Sequence, residues 1–322
     1  MGRDAARNTR FLAAFARGPT ERGRNRHGRQ DRGRWDPAMG PGMTVPANPL
    51  AGTYTALTVA SPVLNIDTEP RDGADGWFSA QSIASNADVV AALVDREQQR
   101  ITETHGVAPP RWIAATWALH RYAFTAVAAL TGPWYLEQRV PVISLPHTAF
   151  HPTERRLSVA RIERLHCSAS DPLAGEAVAD IASDPEDLAV RLRTTVADRL
   201  APILNAFRGE TRRGDRALWG LAADELADSV WHIGRVFGTE DAAVAAVTRL
   251  LPHAIGRFPG GARFIRGPHG WCRTQLSCCL YYAVRPAEQC AGCPRGAMRT
   301  AAEPCWTGDP RRTKPPVPEA EK

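Results

Sequence analysis

Cysteine is concentrated at one end of this 322-residue chain, where six of the seven cysteines lie in the last 51 residues. The central pattern is Cys278-Cys279, then ten residues, then Cys290-Ala-Gly-Cys293. Thiolates are the ligands that zinc and iron–sulfur centres prefer, and a CxxC turn lets two of them converge on one metal. The residue types and their spacing therefore indicate metal chemistry near the C-terminus.

Cys278 and Cys279 are neighbours in the chain, and this limits what they bind. Their Cα atoms are about 3.80 Å apart across a trans peptide, less than the roughly 4.4–6.8 Å usual across a disulfide. In a regular strand the two side chains would point to opposite faces. Both are therefore ligands only if the backbone turns there or if they reach different metal atoms, which a two-iron cluster tolerates better than one tetrahedral zinc.

The residues alone leave three interpretations of the cysteines open. They could be inert core residues with a coincidental CxxC, a structural zinc site, or an iron–sulfur site, and the paired spacing favours the last. Cys272 and Cys305 flank the pattern and could replace a ligand, although packing or redox sensitivity is the favoured role. Cys167 follows a strand-like run and is expected in the core.

The segment around the cysteines is basic. Residues 256–300 carry seven arginines against one acidic residue, Glu288. Four thiolates, two sulfides and two iron(III) ions sum to a charge of −2, so nearby arginines would favour the reduced form of a cluster. Arg273 and Arg285 are the predicted cluster neighbours, and a solvated basic face is the alternative.

Other chemistry-bearing residues give weaker signals. His147 and His151 are four residues apart, but Pro146 and Pro152 make a helix unfavourable, so we expect a loop pair without metal. Trp112, Trp117, Trp219 and Trp231 are expected in the core. The glycines between residues 256 and 270 lack the spacing of a phosphate-binding or dinucleotide-binding loop, so electrons are expected from a separate donor.

The elements that must position the cysteines are mostly helical. Apolar periodicity and capping residues predict helices, the first with Ser85 as its N-cap, and alternation predicts short strands. Together these predict an α+β fold, mostly helical with a small antiparallel sheet. The predicted helices span residues 86–105, 111–130, 184–207 (with a kink at Pro202), 215–237 and 240–251, and the predicted strands span residues 134–137, 140–145 and 156–165.

Charge and composition set the domain boundaries. Residues 1–42 contain ten arginines and four acidic residues, and their net charge of +6 equals that of the whole chain. The remainder of the chain is therefore neutral, which disfavours a nucleic-acid-binding domain. We expect a disordered tail over 1–45, for which a start assigned too far upstream is an alternative to a functional arm. A helical and sheet domain is expected over 46–255, a cluster-binding segment over 256–310 and a flexible tail over 311–322.

No segment reaches the length of a membrane helix, no signal peptide is evident, and a cytoplasmic location is expected.

The cysteine pattern resembles the C-terminal signature of the FhuF-like ferric siderophore reductases. The resemblance is carried by Cys278-Cys279-Leu-Tyr-Tyr and Cys290-Ala-Gly-Cys293-Pro, and more diffusely by residues 212–220, Arg-Arg-Gly-Asp-Arg-Ala-Leu-Trp-Gly. It implies a [2Fe–2S] cluster held by Cys278, Cys279, Cys290 and Cys293. It also implies reduction of iron(III) in a siderophore, with release of iron(II).

The implied partners are a ferric siderophore substrate and a separate electron donor, either a ferredoxin or an NAD(P)H-dependent reductase. A one-electron carrier suits the reaction, because adding an electron to iron(III) weakens its hold on hard oxygen ligands. The alternative is a siderophore-handling or siderophore-synthetase-like binding domain with a structural zinc or no metal. An iron–sulfur redox regulator is a third interpretation, for which no convincing helix-turn-helix is found.

Overall fold

The computed structural model describes residues 48–71, 75–267, 270–286 and 292–294. The predicted tails over 1–45 and 311–322 lie outside these residues, as do Cys290 and Cys305. The helices in the described residues are α1 (Ala51–Ala60), α2 (Ala80–Ser85), α3 (Ala87–His105), α4 (Arg111–Glu137), α5 (Pro185–Thr211), α6 (Asp215–Val236), α7 (Glu240–Leu250) and α8 (Tyr281–Val284).

Capping residues fix the ends of two long helices. Asn86 caps α3, with its side-chain oxygen accepting from the backbone N–H of Asp88, and Gly106 ends the helix in the left-handed conformation. The predicted N-cap Ser85 instead ends α2, because the chain passes from one helix into the next through extended Asn86. Asp184 caps α5 as expected, accepting from two backbone N–H groups.

Helix α4 continues through Gly132 and Pro133 to Glu137, so the strand predicted over 134–137 is wrong. Proline lacks the N–H that would bond to the carbonyl four residues earlier. That carbonyl, of Ala129, instead accepts from the Tyr54 hydroxyl of α1 at 3.1 Å. A Cβ on Gly132 would lie 2.5 Å from Leu57, so glycine also allows α1 to approach closely. Packing of α1 against α4 thus allows α4 to continue through a glycine and a proline, which usually end a helix.

The strands in the described residues are β1 (Ile66–Asp67), β2 (Phe78–Ser79), β3 (Val140–Val142), β4 (Thr148–His151), β5 (Arg156–Val159), β6 (Arg164–Cys167), β7 (Ala179–Ile181), β8 (Phe264–Gly267) and β9 (Gly270–Arg273). These strands form three small sheets. The first has the order β1-β5-β4-β2, and only its β1–β5 pair is parallel. The second has the order β3-β6-β7, and only its β6–β7 pair is parallel, whereas the third is the antiparallel pair β8–β9.

The predicted α+β class, mostly helical, is confirmed, and the sheets differ from the prediction in detail. The run 156–165 divides into β5 and β6, which belong to different sheets, because the chain leaves the first sheet after Val159. The run 140–145 is a strand only as far as Val142. Two of the three sheets are therefore mixed rather than antiparallel.

Helix α4 is the centre of the hydrophobic core. It packs against α3, α5 and α6, and most of its length from Ile113 to Trp134 is buried. Helix α6 is also largely buried, yet it carries two buried carboxylates, Asp224 and Glu225. Because buried carboxylates require partners, these two mark the face of α6 that leads to the cysteines. No helix among the described residues is long and apolar enough to cross a membrane.

Candidate metal centre

The cysteine segment, residues 270–294, begins with β9 and includes α8. Cys278, Cys279 and Cys293 are each half-buried. Leu280, directly after the adjacent pair, has a φ of +64° and turns the backbone into α8. A change of direction at this point is what two adjacent cysteines need if both are to act as ligands.

Two side chains from the helical core hold the backbone of the adjacent cysteines. Arg213, between α5 and α6, donates to the Cys278 carbonyl and, at 2.7 Å, to the Ser277 hydroxyl. Trp117 of α4 donates from Nε1 to the Cys279 carbonyl at 2.8 Å. The position of the pair is thus set by residues that are distant in the sequence.

Asp224 anchors the chain just before the cysteines. Its carboxylate accepts from the backbone N–H groups of Leu276 and Ser277 at 2.8 and 2.7 Å, and from Arg273 Nη2 at 2.8 Å. Arg273 Nε also donates to Asp228 at 2.8 Å. The Arg273 and Asp224 side chains are 2% and 1% exposed, so these bonds form away from water, where an unpaired charge is costly.

The electrostatics of this anchor reflect its burial. Burial raises the pKa of Asp224 to about 6, against the opposing influence of Arg273 and the two backbone amides. Burial by itself would lower the pKa of Arg273, but Asp228 and Asp224 together raise it above its ordinary value. The ion pair is therefore formed at neutral pH.

Gly292, inside the CxxC, contacts the same anchor. The Gln275 backbone N–H donates to the Gly292 carbonyl at 2.9 Å. A Cβ on Gly292 would lie 2.7 Å from the Arg273 carbonyl oxygen, closer than real Cβ contacts allow. Glycine at position 292 therefore lets the chain lie directly on the backbone of Arg273.

The three described cysteines of the pattern are close enough for their charges to affect one another. Burial raises the pKa of Cys278, as do Cys279 and Cys293, whereas a backbone hydrogen bond from Leu280 and the charge of Arg213 oppose the rise. Burial lowers the pKa of Arg213, while Cys278 and Cys279 act to raise it. Arg213 is thus a cation placed beside the anions that a metal centre would create.

A second buried carboxylate of α6 faces the same region. Glu225 pairs with His120 Nδ1 of α4, and both side chains are largely buried. Burial would lower the pKa of His120, but Glu225, Cys279 and Asp224 together raise it. His120 Nε2 is buried and has no hydrogen-bond partner among the described residues.

The donor set fits an iron–sulfur group in part. Three of the four predicted ligands, Cys278, Cys279 and Cys293, are described as free thiols, and Cys290 lies outside the described residues. Within the described ranges alone, no group of three or more His, Cys, Asp or Glu side chains is arranged to hold a metal ion. The predicted ligand set thus stays a prediction.

The other two described cysteines are not among the predicted ligands. Cys272, in β9, is disulfide-bonded. Cys167 is completely buried in β6, as expected for a core residue.

The two arginines predicted as cluster neighbours have different surroundings. Arg273 is buried and neutralised by Asp224 and Asp228, so its role is to hold the segment. Arg285 is exposed at the end of α8. Arg213 is one arginine whose charge acts on Cys278 and Cys279, and it lies in the segment 212–220 that carried the diffuse part of the resemblance.

The remaining predicted residues have mixed outcomes. His147 is in a 3₁₀ turn and His151 is in β4, so they are not on one helix. Trp219 is buried, whereas Trp117 is only partly buried and contacts the cysteine segment. Sequence reasoning missed Trp117, His120, Arg213, Asp224 and Glu225 as site residues. An acidic pair directly after the apolar run 217–223, Asp224-Glu225, is the signal that would have indicated two of them.

The structure thus defines an α+β protein with a cysteine segment anchored on its helical core. Residues 276–295 match the family model described as the FhuF 2Fe-2S C-terminal domain. The predicted resemblance to FhuF-like proteins is confirmed over these residues, and the family model names an iron–sulfur group as its cofactor. No curated protein matches the chain.

Proposed function

We propose that this protein is an iron–sulfur oxidoreductase that reduces iron(III) in a siderophore complex and so releases iron(II). Cys278, Cys279, Cys290 and Cys293 are its proposed cluster ligands, in a cluster-binding segment over 256–310. The donor is a ferredoxin or an NAD(P)H-dependent reductase, and the proposed location is cytoplasmic. The observation that carries the proposal is the adjacent cysteine pair, anchored by Asp224 and Arg213 inside the segment that matches a 2Fe-2S family model.

A bound [2Fe–2S] cluster supplies one electron, which is what conversion of iron(III) to iron(II) requires. Residues of this chain provide charge and hydrogen bonds around the cysteines. Arg213 offsets negative charge beside Cys278 and Cys279, and nearby positive charge favours the more negative, reduced state. Trp117 donates to the Cys279 carbonyl, and hydrogen bonds around such centres also tune their potential.

The siderophore iron is the electron acceptor and leaves as iron(II). One electron enters each iron(III) ion, the charge of the ion falls, and its bonds to hard oxygen ligands weaken. No bond within the siderophore needs to break. The half-buried position of the cysteines suits such a reaction, because a bulky chelate can approach them from solvent.

The experiment measures iron, acid-labile sulfide and zinc in anaerobically purified protein, with visible spectra before and after dithionite. We expect about two irons and two sulfides per chain and a brown colour that bleaches on reduction. The reduced protein should then transfer one electron per cluster to a ferric siderophore, recorded as iron(II) with a ferrous chelator. About one zinc and no colour would instead favour the siderophore-handling binding domain.

Cysteine variants test the ligand assignment. Cys278→Ser and Cys293→Ser should each lose the cluster. Cys167→Ala, which alters a buried cysteine in β6 away from the segment, is the matched control and should retain it. Unchanged iron and sulfide in either serine variant would contradict the assignment.

A further inference from the structure

Two arginines contact one buried glutamate, Glu97, and the charge of a third, Arg155, acts on the same group. Arg100 of α3 donates to both oxygens of Glu97, at 2.9 and 2.6 Å. Arg121 of α4 lies 3.3 Å from the same carboxylate and also donates to the Pro152 carbonyl. Burial lowers the pKa of Arg121 to about 10, opposed by Glu97 and helped by the charges of Arg155 and Arg100. The three arginines therefore form one basic cluster.

Two buried nitrogen atoms in this region have no hydrogen-bond partner among the described residues. They are Nε of Arg155 and Nε2 of His120. Arg155 has a φ of +49°, an uncommon backbone conformation for a bulky residue, and its main opposite charges are Glu225 and Glu97. Since buried N–H donors normally have partners, Arg155 Nε indicates that an acceptor-bearing ligand belongs here, and His120 Nε2 is a second donor when its ring is protonated.

An aromatic surface joins the basic cluster to the cysteines. The Arg100 guanidinium lies 6.0 Å above the Trp117 ring, and Trp117 donates to the Cys279 carbonyl. Trp117 is stacked on Tyr281, with ring centroids 5.9 Å apart and an angle of 9° between the rings. His105 contacts both rings edge-on. A flat or aromatic ligand over these rings would touch the basic cluster and the cysteine backbone together.

The charge of the cluster selects the sign of the ligand. Arg100, Arg121 and Arg155 face two carboxylates, Glu97 and Glu225, which leaves one net positive charge before His120 is counted. A thiolate-bound metal centre is an anion and repels other anions. Placing arginines at its border offsets that repulsion and allows an anionic ligand to approach.

We propose that Arg100, Arg121 and Arg155, with Trp117 and Tyr281, form the docking site of the substrate, and that the substrate is an anionic ferric chelate. This inference rests on the proposed function, which it deepens by naming the charge class of the chelate and its binding residues. Catecholate or carboxylate oxygens on the chelate accept from Arg155 Nε and from the neighbouring guanidinium groups.

The test measures binding without electron transfer, using gallium(III) chelates in place of iron(III). The anionic probe is a gallium(III) tricatecholate and the neutral probe is a gallium(III) trihydroxamate. Equilibrium dialysis with elemental analysis gives the affinity of the full-length, cluster-loaded protein for each. Arg155→Gln removes charge at a nitrogen that bonds to no described residue. Arg164→Gln is the control, because Arg164 is exposed on β6 in another sheet.

We expect the unaltered protein to prefer the anionic probe by about tenfold or more, the effect of one charged hydrogen bond. Arg155→Gln should lose about tenfold in affinity for the anionic probe only, whereas Arg164→Gln should lose none. Equal binding of both probes, binding of neither, or anion binding unaffected by Arg155→Gln would overturn the inference. If Arg155→Gln does not fold, Arg100→Gln makes the same measurement.

The two proposals fail in distinguishable ways. A protein that carries a reducible cluster and releases iron(II), yet binds both gallium probes equally, retains the proposed function and loses the docking site. A protein without a cluster loses the proposed function, and its iron and sulfide content records this independently of gallium binding.

Discussion

The region around α4 and the cysteine segment are stabilised in different ways. The former is apolar, with Leu119, Val127 and Leu130 fully or almost fully buried. The latter is fixed by charge and hydrogen bonds, since Asp224 alone accepts from Arg273, Leu276 and Ser277. Apolar packing is spread over many atoms and tolerates single changes, whereas a buried polar anchor depends on every partner. We therefore expect a single substitution in one region to leave the other region unaffected.

Asp224→Asn should have the largest effect and should act on the cysteine segment. Removing one partner of a buried ion pair costs about 3–5 kcal/mol, because the other charge stays buried. Hydrogen exchange at the amides of Leu276 and Ser277 should accelerate and iron content should fall. Far-ultraviolet circular dichroism should keep its helical signal.

Asp241→Asn is the control for Asp224→Asn. Asp241 also pairs with an arginine, Arg266, but both side chains are well exposed. An exposed pair contributes about 0–1 kcal/mol. Equal loss of iron in the two variants would show that burial of the anchor does not matter.

Leu130→Ala tests the other side of the comparison. Leu130 is 1% exposed, and loss of its side chain should lower the free energy of unfolding by about 3 kcal/mol. Chemical denaturation followed at the helical signal gives this value. Iron content at a temperature below unfolding should stay unchanged, and a variant that keeps its stability but loses iron would reverse the comparison.

A pH series should destabilise the helical core through His232 of α6. Burial, together with Arg235 and Arg155, lowers the pKa of His232 to about 4, and its Nε2 lies 2.9 Å from the Ser61 hydroxyl. The unfolded chain, with a histidine pKa near 6.5, therefore binds the proton first, and stability falls as the pH drops from about 6.5 to about 4. The full effect is about 3 kcal/mol.

The measurement compares denaturation of the native protein and of His232→Gln at each pH. The difference between the two isolates His232, because Asp224 titrates in both. The glutamine variant should show a smaller loss of stability on acidification. Parallel curves for the two proteins would exclude His232 as the source.

Gly292→Ala should have the smallest effect, again confined to the cysteine segment. Its Cβ would collide with the Arg273 carbonyl, and relief of such a clash costs about 1–3 kcal/mol. Iron retention against a competing chelator should fall. Gly209→Ala, at an open position of α5, is the control and should retain iron as the native protein does.

Local signals in the sequence predicted most of the helices. Apolar periodicity located α3, and Asp184-Pro185 located the start of α5. Gly132-Pro133 misled the prediction, because the partner that compensates for the proline, Tyr54, is far away in the sequence. Short-range patterns carry no information about such a contact.

The candidate site was predictable only where its residues repeat in a pattern. The spacing of Cys278, Cys279 and Cys293 was visible in the sequence, and a family model matches it. Trp117 lies far from Arg213 and Asp224 in the sequence, and the packing of α4 against α6 brings the three together. An isolated tryptophan has no neighbours in sequence that would distinguish it from a core residue, and the segment 212–220 did not indicate which of its arginines contacts the cysteines.

The bond from Tyr54 to the Ala129 carbonyl has a consequence for the order of folding. It closes a separation of 75 residues, and the entropy lost in closing a long loop makes such contacts slow to form. We expect α4 to fold in two stages, first up to the proline on local contacts and then through its last turn when α1 arrives. Late protection of the amides of residues 134–137 in pulse-labelled exchange would record the second stage.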